Sequence, residues 1–177
     1  TAQPVATATG TSLTAILTVN GVMLLEDGKQ SSAGVIPLSY TGNCIAVSKD
    51  DDTIYVGGED CKIYVYSGDM KEKHVIEGGH LKPVHSLAIS NDGTKLAAGD
   101  GRDVCVYNTS DYSTLISKGK FCFHLQKVTA LAWSNDDKVV ASGGADDCIY
   151  LWSIEKKRRV SYKFAHRGGV VALAFKK

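Results

Sequence analysis

The feature that most constrains this chain is a repeat. Three stretches, Cys44–Ser67, Ser86–Asn108 and Ala130–Ser153, follow one pattern. A serine ends the first segment of each, at Ser48, Ser90 and Ser134, which sets a period of about 42–44 residues. Each serine is followed by a glycine at the same offset, Gly57, Gly99 and Gly143. Each unit closes its third segment on an aromatic residue, Tyr66, Tyr107 and Trp152. A histidine precedes each new unit, at His80, His124 and His166, and a further unit opens with Val170–Phe175. A unit of this size cannot bury its apolar face alone, so successive units must stack.

Within a unit the residues read as short strands. Runs such as Lys62–Tyr66 and Cys148–Trp152 are β-branched and aromatic, and Asn-Asp-Gly or Asp-Asp clusters suited to tight turns separate them. The spacing predicts strands near 43–48, 53–57, 62–67 and 73–77, repeated over 84–118 and 128–165. The segment before Asn43 is less regular. Leu13–Val19, Gly21–Glu26 and Gly34–Leu38 look like three strands of a blade whose first strand is missing or lies in Pro4–Thr9, with Asn20-Gly21 as a two-residue hairpin signal. No long helical pattern interrupts them, so the expected class is all-β.

Composition excludes several functions. Twenty Lys and Arg stand against nineteen Asp and Glu, a formal charge of +1, which argues against nucleic-acid or membrane-surface partners. No apolar stretch approaches the roughly 20 residues that span a bilayer, and Thr1–Gly10 lacks the pattern of a signal peptide. The five cysteines, Cys44, Cys61, Cys105, Cys122 and Cys148, include no CxxC pair. Reduced, packed thiols in a cytoplasmic protein are therefore expected, with no metal and no organic cofactor.

The period, the closing Trp152 and the preceding His124 resemble the WD40 signature, which implies four-stranded blades arranged radially. The third unit carries it best, in His124, Ser142-Gly-Gly-Ala-Asp146 and Trp152-Ser153; Tyr66-Ser67 and Tyr107-Asn108 replace Trp-Asp elsewhere, and Asn135-Asp136-Asp137 stands where many repeats have Ser-Pro-Asp. On that resemblance the blades fall near 1–40, 41–80, 81–124 and 125–166, with the next beginning at 167–177. About four blades of a seven-bladed ring are then present, and a full ring needs roughly 290 residues. The chain opens without Met and stops one strand into a blade, so a fragment, a partly described chain or a half-ring completed by another chain all remain open. A closer resemblance is to the C-terminal propeller of the actin-interacting protein 1 family. It rests on Thr53–Ser67, Leu96–Asn108, Phe123–Trp152 and Ala165–Phe175. That family dismantles actin filaments together with cofilin, which implies actin and cofilin as partners and a cytoplasmic, cytoskeletal location. It carries no contact residue over to this chain.

Four residues, His124, Ser142, Asp146 and Trp152, are expected to form one hydrogen-bond chain, from the Trp152 N–H through Ser142 to His124 and on to Asp146. Trp only donates, Ser does both, and neutral His offers one of each. A hydrolase reading of Ser-His-Asp is weak, because the spacing belongs to the repeat and no nucleophile elbow is present. The chain is thus expected not to be an enzyme. In the preceding unit Ala98 and Gly101 are read at the Ser and Asp positions, and the first unit has Asp60 with Val56 and Tyr66, so His124→Ala is expected to cost more stability than His80→Ala. The turns Asp50-Asp51-Asp52, Asn91-Asp92 and Asp136-Asp137, with the basic turn Lys156–Arg159, should share one face. Lys82, Lys127 and Arg167 recur on loops of the opposite face and are the candidate partner-binding residues. The expected function is actin binding in cofilin-dependent filament disassembly; the alternative is a general WD40 scaffold in a multiprotein assembly, and cosedimentation with actin discriminates them.

Overall fold

A computed structural model describes residues 3–156 and 159–176. These form four antiparallel sheets of four strands each, every strand hydrogen-bonded to the one next to it in sequence. The first sheet holds β1 (Pro4–Thr9), β2 (Leu13–Thr18), β3 (Gly21–Glu26) and β4 (Lys29–Ile36). The second holds β5 (Gly42–Val47), β6 (Thr53–Gly58), β7 (Ile63–Ser67) and β8 (Glu72–Ile76). The third holds β9 (Ser86–Ile89), β10 (Lys95–Gly99), β11 (Val104–Asn108) and β12 (Thr114–Phe121). The fourth holds β13 (Val128–Trp133), β14 (Val139–Gly144), β15 (Ile149–Ser153) and β16 (Arg159–Tyr162). The fold is the all-β propeller arrangement that the repeat predicts.

Apolar clusters fill the gaps between neighbouring sheets. Leu17, Val22, Ile54 and Val56 join the first two sheets, Ile63, Val65, Val84 and Leu96 the second and third, and Val104, Phe121, Val140 and Trp152 the third and fourth. β6, β10 and β14, each the second strand of its sheet, are buried on both faces, which is why Thr53–Gly58 is almost continuously apolar rather than alternating. The repeated glycine has a packing cause. A Cβ on Gly57 would lie 2.7 Å from Val84 Cγ1, one on Gly99 2.6 Å from Val128 Cγ1, and one on Gly143 2.4 Å from Val170 Cγ1. Each glycine therefore makes room for a valine at the entry to the next inner segment.

The repeated serine ties the first turn of its sheet. Ser90 Oγ donates to Asp92 (2.5 Å) and accepts from Lys95 N (2.9 Å). Ser134 Oγ donates to Asp136 (2.6 Å) and accepts from Val139 N (3.0 Å), and Ser48 does the same with Asp50 and Thr53. One residue further on, two aspartates in the left-handed region, Asp51 (φ 62) and Asp137 (φ 54), reach across to the preceding sheet. Asp51 accepts from the backbone N–H groups of Thr11 and Ser12, both at 2.8 Å. Asp137 accepts from those of Asn91 (2.7 Å) and Asp92 (2.8 Å). These carboxylates clasp the first sheet to the second and the third to the fourth. At the junction of the second and third sheets the same turn position is Gly93 (φ 74), and a Lys49 Nζ bond to Asn91 O (2.6 Å) stands in its place.

Of the two options left open for the N-terminal segment, the structure shows its first strand in Pro4–Thr9, as β1. The segment departs from the sequence reading in that β4 is longer than expected, because it starts at Lys29. The β2–β3 turn is Val19-Asn20, not Asn20-Gly21, since Thr18 pairs with Gly21. Gly21 is already strand, and a Cβ there would lie 2.1 Å from Ile36 O. At the other end, Val170–Lys176 runs beside β13, with Val170 N donating to Gly144 O (3.0 Å) and Asn135 Nδ2 to Lys176 O (2.9 Å). It joins no sheet among the described residues.

Candidate functional site

The β12–β13 loop carries His124 and the β14–β15 turn carries Asp146, so the marked quartet links the loop that enters the fourth sheet to that sheet's second turn. Trp152 Nε1 donates to Ser142 Oγ (2.7 Å), and Ser142 Oγ lies 2.8 Å from His124 Nε2. His124 Nδ1 lies 3.0 Å from Asp146 Oδ1. Trp152 can only donate, so the Ser142 hydroxyl sends its own proton to Nε2, and the remaining ring proton on Nδ1 goes to Asp146. Asp146 also accepts from Leu125 N (2.7 Å) and Cys148 N (3.3 Å), which fixes the loop and the turn together.

Burial holds His124 below the ordinary histidine value, and Asp146 opposes this without overcoming it. For Asp146, burial raises the pKa, but the bonds from Leu125 N and His124 outweigh it and the net shift is downward. The contact is therefore a neutral imidazole donating to a carboxylate. His124 and Ser142 are wholly shielded from solvent, at 0% exposure. With its oxygen between Trp152 and His124, Ser142 offers no nucleophile that a substrate could reach.

The third sheet corrects the sequence reading. Its carboxylate is Asp100, not absent: His80 Nδ1 lies 3.0 Å from Asp100 Oδ2, and both side chains are buried. Asp100 Oδ1 accepts from Arg102 N and Asp103 N, each at 2.9 Å. The β10–β11 turn is one residue tighter than β14–β15, so counting back from the closing aromatic, as from Trp152 to Asp146, lands on Gly101 rather than Asp100. What this sheet lacks is the serine. With Ala98 in place, His80 Nε2 and Tyr107 Oη are buried without a partner. In the second sheet Asp60 accepts from Tyr64 Oη (2.7 Å), Tyr64 stacks on Tyr40 with centroids 3.7 Å apart, and Tyr40 Oη lies 3.0 Å from Tyr66 Oη. His166 is exposed and contacts only the Arg167 carbonyl through Nδ1; no second strand follows it among the described residues to supply a carboxylate.

Lys82, Lys127 and Arg167 all lie in loops that lead from an outer strand to the next inner segment, and all three are exposed. Among the described residues they take part in no ion pair. Lys82 lays its stem over Gly101, where a Cβ would meet its Cγ at 2.9 Å. Lys127 O accepts from Ala145 N. Near them His85, in a position sequence reading passed over, borders an axial cavity of about 460 Å³ lined by inner-strand residues including Asn43, Leu87, Thr129 and Val171. Burial, then the neighbouring Lys127 charge, lowers its pKa. On the opposite face lie the acidic turns and Lys156; Lys157 and Arg158 fall outside the described residues. Arg159 is not in that turn but opens β16, where its guanidinium carbon sits 3.3 Å from the centre of the Phe123 ring. Among the described residues no group of three or more His, Cys, Asp or Glu side chains could hold a metal ion, and no helix is long and apolar enough to cross a membrane.

The WD domain, G-beta repeat family matches residues 38–67, 70–108 and 116–153. The chain is 31% identical to the 66 kDa stress protein of Physarum polycephalum, over 97% of this chain and 28% of that protein. It is 33% identical to actin-interacting protein 1 of Caenorhabditis elegans, over 68% of this chain and 20% of that one. It thus spans less than a third of the length of these relatives. Among solved structures, that of U3-55K superposes with a TM-score of 0.70 at 26% identity, covering 78% of this chain and 44% of that one.

Proposed function

Because the chain belongs to the WD domain, G-beta repeat family, we propose that it works by holding partner proteins and that the partner it holds is the actin filament. The observation that carries this reading is the similarity to actin-interacting protein 1 across 68% of the chain. A second feature supports it: stacked sheets clasped edge to edge present their connecting loops at fixed geometry, which suits recognition of a large protein surface rather than catalysis. Lys82, Lys127 and Arg167 are the contacts proposed, as exposed cations that form no ion pair among the described residues and can meet the acidic surface of a filament. We further propose that binding serves filament disassembly in concert with cofilin, at a cytoskeletal location.

Cosedimentation with filamentous actin, bare and cofilin-decorated, tests this. The protein is expected to pellet with decorated filaments and to speed their loss. Replacing Lys82 and Lys127 together by Glu is expected to weaken pelleting and its salt dependence. A protein that stays in the supernatant with both filament preparations refutes the actin reading and leaves the general scaffold reading standing.

A further inference from the structure

Three of the exposed large apolar side chains converge on one place. Phe123 (44% exposed), Leu125 (75%) and Phe164 (84%) border a cavity of about 360 Å³ together with Tyr150, Arg159 and Lys163. That volume lies within the range of small ligand sites, and single exposed apolar residues are ordinary whereas clusters of them around a concavity are not. The cavity opens where the β12–β13 loop meets β16. In the register of the fourth sheet Arg159 pairs with Trp152 and Ser161 with Tyr150, while Val160 pairs with Leu151 and Tyr162 with Ile149. The groove therefore belongs to the side of β16 that faces the third sheet. Val160 and Tyr162 occupy the other side, where any further sheet would stack, so such a sheet would leave the groove open.

Charge tells which occupant fits. The Arg159 guanidinium is already oriented by stacking on Phe123, and among the described residues it has no carboxylate partner. Lys163 adds a second cation at the rim. The single carboxylate of the lining, Asp146, is 3% exposed and committed to His124, Leu125 N and Cys148 N. A basic ligand would find no free acceptor of charge there. Phe164 sits at φ 54, a left-handed conformation uncommon for an aromatic residue, and its ring borders the groove while remaining largely exposed.

We infer that this groove is a docking site for an acidic-apolar peptide segment of a partner protein, with a bulky apolar side chain set between Phe123, Leu125, Tyr150 and Phe164 and a neighbouring carboxylate paired to Arg159. Nothing in this chemistry depends on actin, and the Lys82 and Lys127 side chains lie outside it.

A phage-displayed random dodecapeptide library selected on the protein tests it. Enriched peptides are expected to carry Asp or Glu within two residues of a Leu, Ile, Met, Phe or Trp. Arg159→Glu, and separately Leu125→Ser with Phe164→Ser, should each weaken their binding by roughly tenfold or more, the effect of losing one hot-spot contact. The second variant changes only strongly exposed side chains, so an unchanged thermal melt keeps the test sound if Arg159→Glu disturbs packing on Phe123. Lys82→Glu with Lys127→Glu should leave peptide binding unchanged, which separates this groove from the actin surface. No enrichment, enrichment of basic or uncharged peptides, or acidic peptides that bind both groove variants as tightly as the unaltered protein would overturn the inference.

Discussion

Exchanging one hydroxyl between two sheets tests the hydrogen-bond logic of the repeat. In the fourth sheet Ser142 Oγ serves two buried groups at once, the Trp152 N–H and His124 Nε2. Ser142→Ala strands both. A buried polar group without a partner costs about 1–3 kcal/mol, and the lost desolvation of the hydroxyl itself returns part of that, so the net loss is about 2–4 kcal/mol. The third sheet already lives in that condition, with Ala98 at the corresponding place and His80 Nε2 and Tyr107 Oη unpaired. Ala98→Ser is therefore expected to gain about 1 kcal/mol. Urea unfolding of the protein, followed by tryptophan fluorescence and circular dichroism, reads both changes as shifts of midpoint at constant slope. Opposite signs are required. If Ser142→Ala is neutral, or if both substitutions destabilise alike, the shared column is a matter of packing and not of paired polar groups.

Three further outcomes follow from the geometry. Gly93→Asp places a carboxylate where Asp51 and Asp137 clasp their neighbours, and nothing lies within 4 Å of the new Cβ; it should raise the urea midpoint slightly, whereas Gly93→Ala, which carries the same left-handed strain without a carboxylate, should lower it. Gly99→Ala drives a methyl to 2.6 Å from Val128 Cγ1 and should cost about 1–3 kcal/mol by thermal or urea melting. Because burial holds His124 below its ordinary 6.5, the unfolded chain takes up protons first, so stability should be full above about pH 7 and fall as pH drops below 6.5. Asp146 and Asp100, held below their ordinary 3.8, add a second loss as pH falls below that value. Melts across pH in His124→Gln should lose part of the upper slope and keep the lower one.

The sheets were legible because one period fixes serine, glycine and closing aromatic at once, and each landmark has a local cause: a serine-tied turn, a glycine under the next valine, an aromatic between sheets. The quartet could be read at His124, Ser142, Asp146 and Trp152 because the donor-only indole narrows the ways the protons can run. Asp100 escaped the same reading because its turn is one residue shorter, which moves the carboxylate by a column without moving it in space. The first hairpin slipped by one residue because Asn-Gly is a strong turn pair, whereas here the pressure of the Ile36 carbonyl demands glycine inside the strand. Asp51 and Asp137 looked like ordinary turn residues, since their partners lie about forty residues away in another sheet. The groove under Phe123 was invisible for the same reason: it joins one sheet's exit loop to the last strand of the next.

The glycine at position 93 gives the molecule a seam. In stacked repeats, stability is close to a sum of each unit and its joints, so the joint with fewest bonds is where opening begins. Two pairs of sheets, each riveted by an aspartate, meet across apolar packing, the Lys49 bond to Asn91 O and the Val84 N bond to Gly58 O (3.1 Å), with no carboxylate clasp among the described residues, and they are the natural halves in which this part of the protein breathes. The amide hydrogen of Val84, bonded to Gly58 O across this joint, should then exchange ahead of those of Asn91 and Asp92, which Asp137 holds within one half, under conditions that leave each half intact.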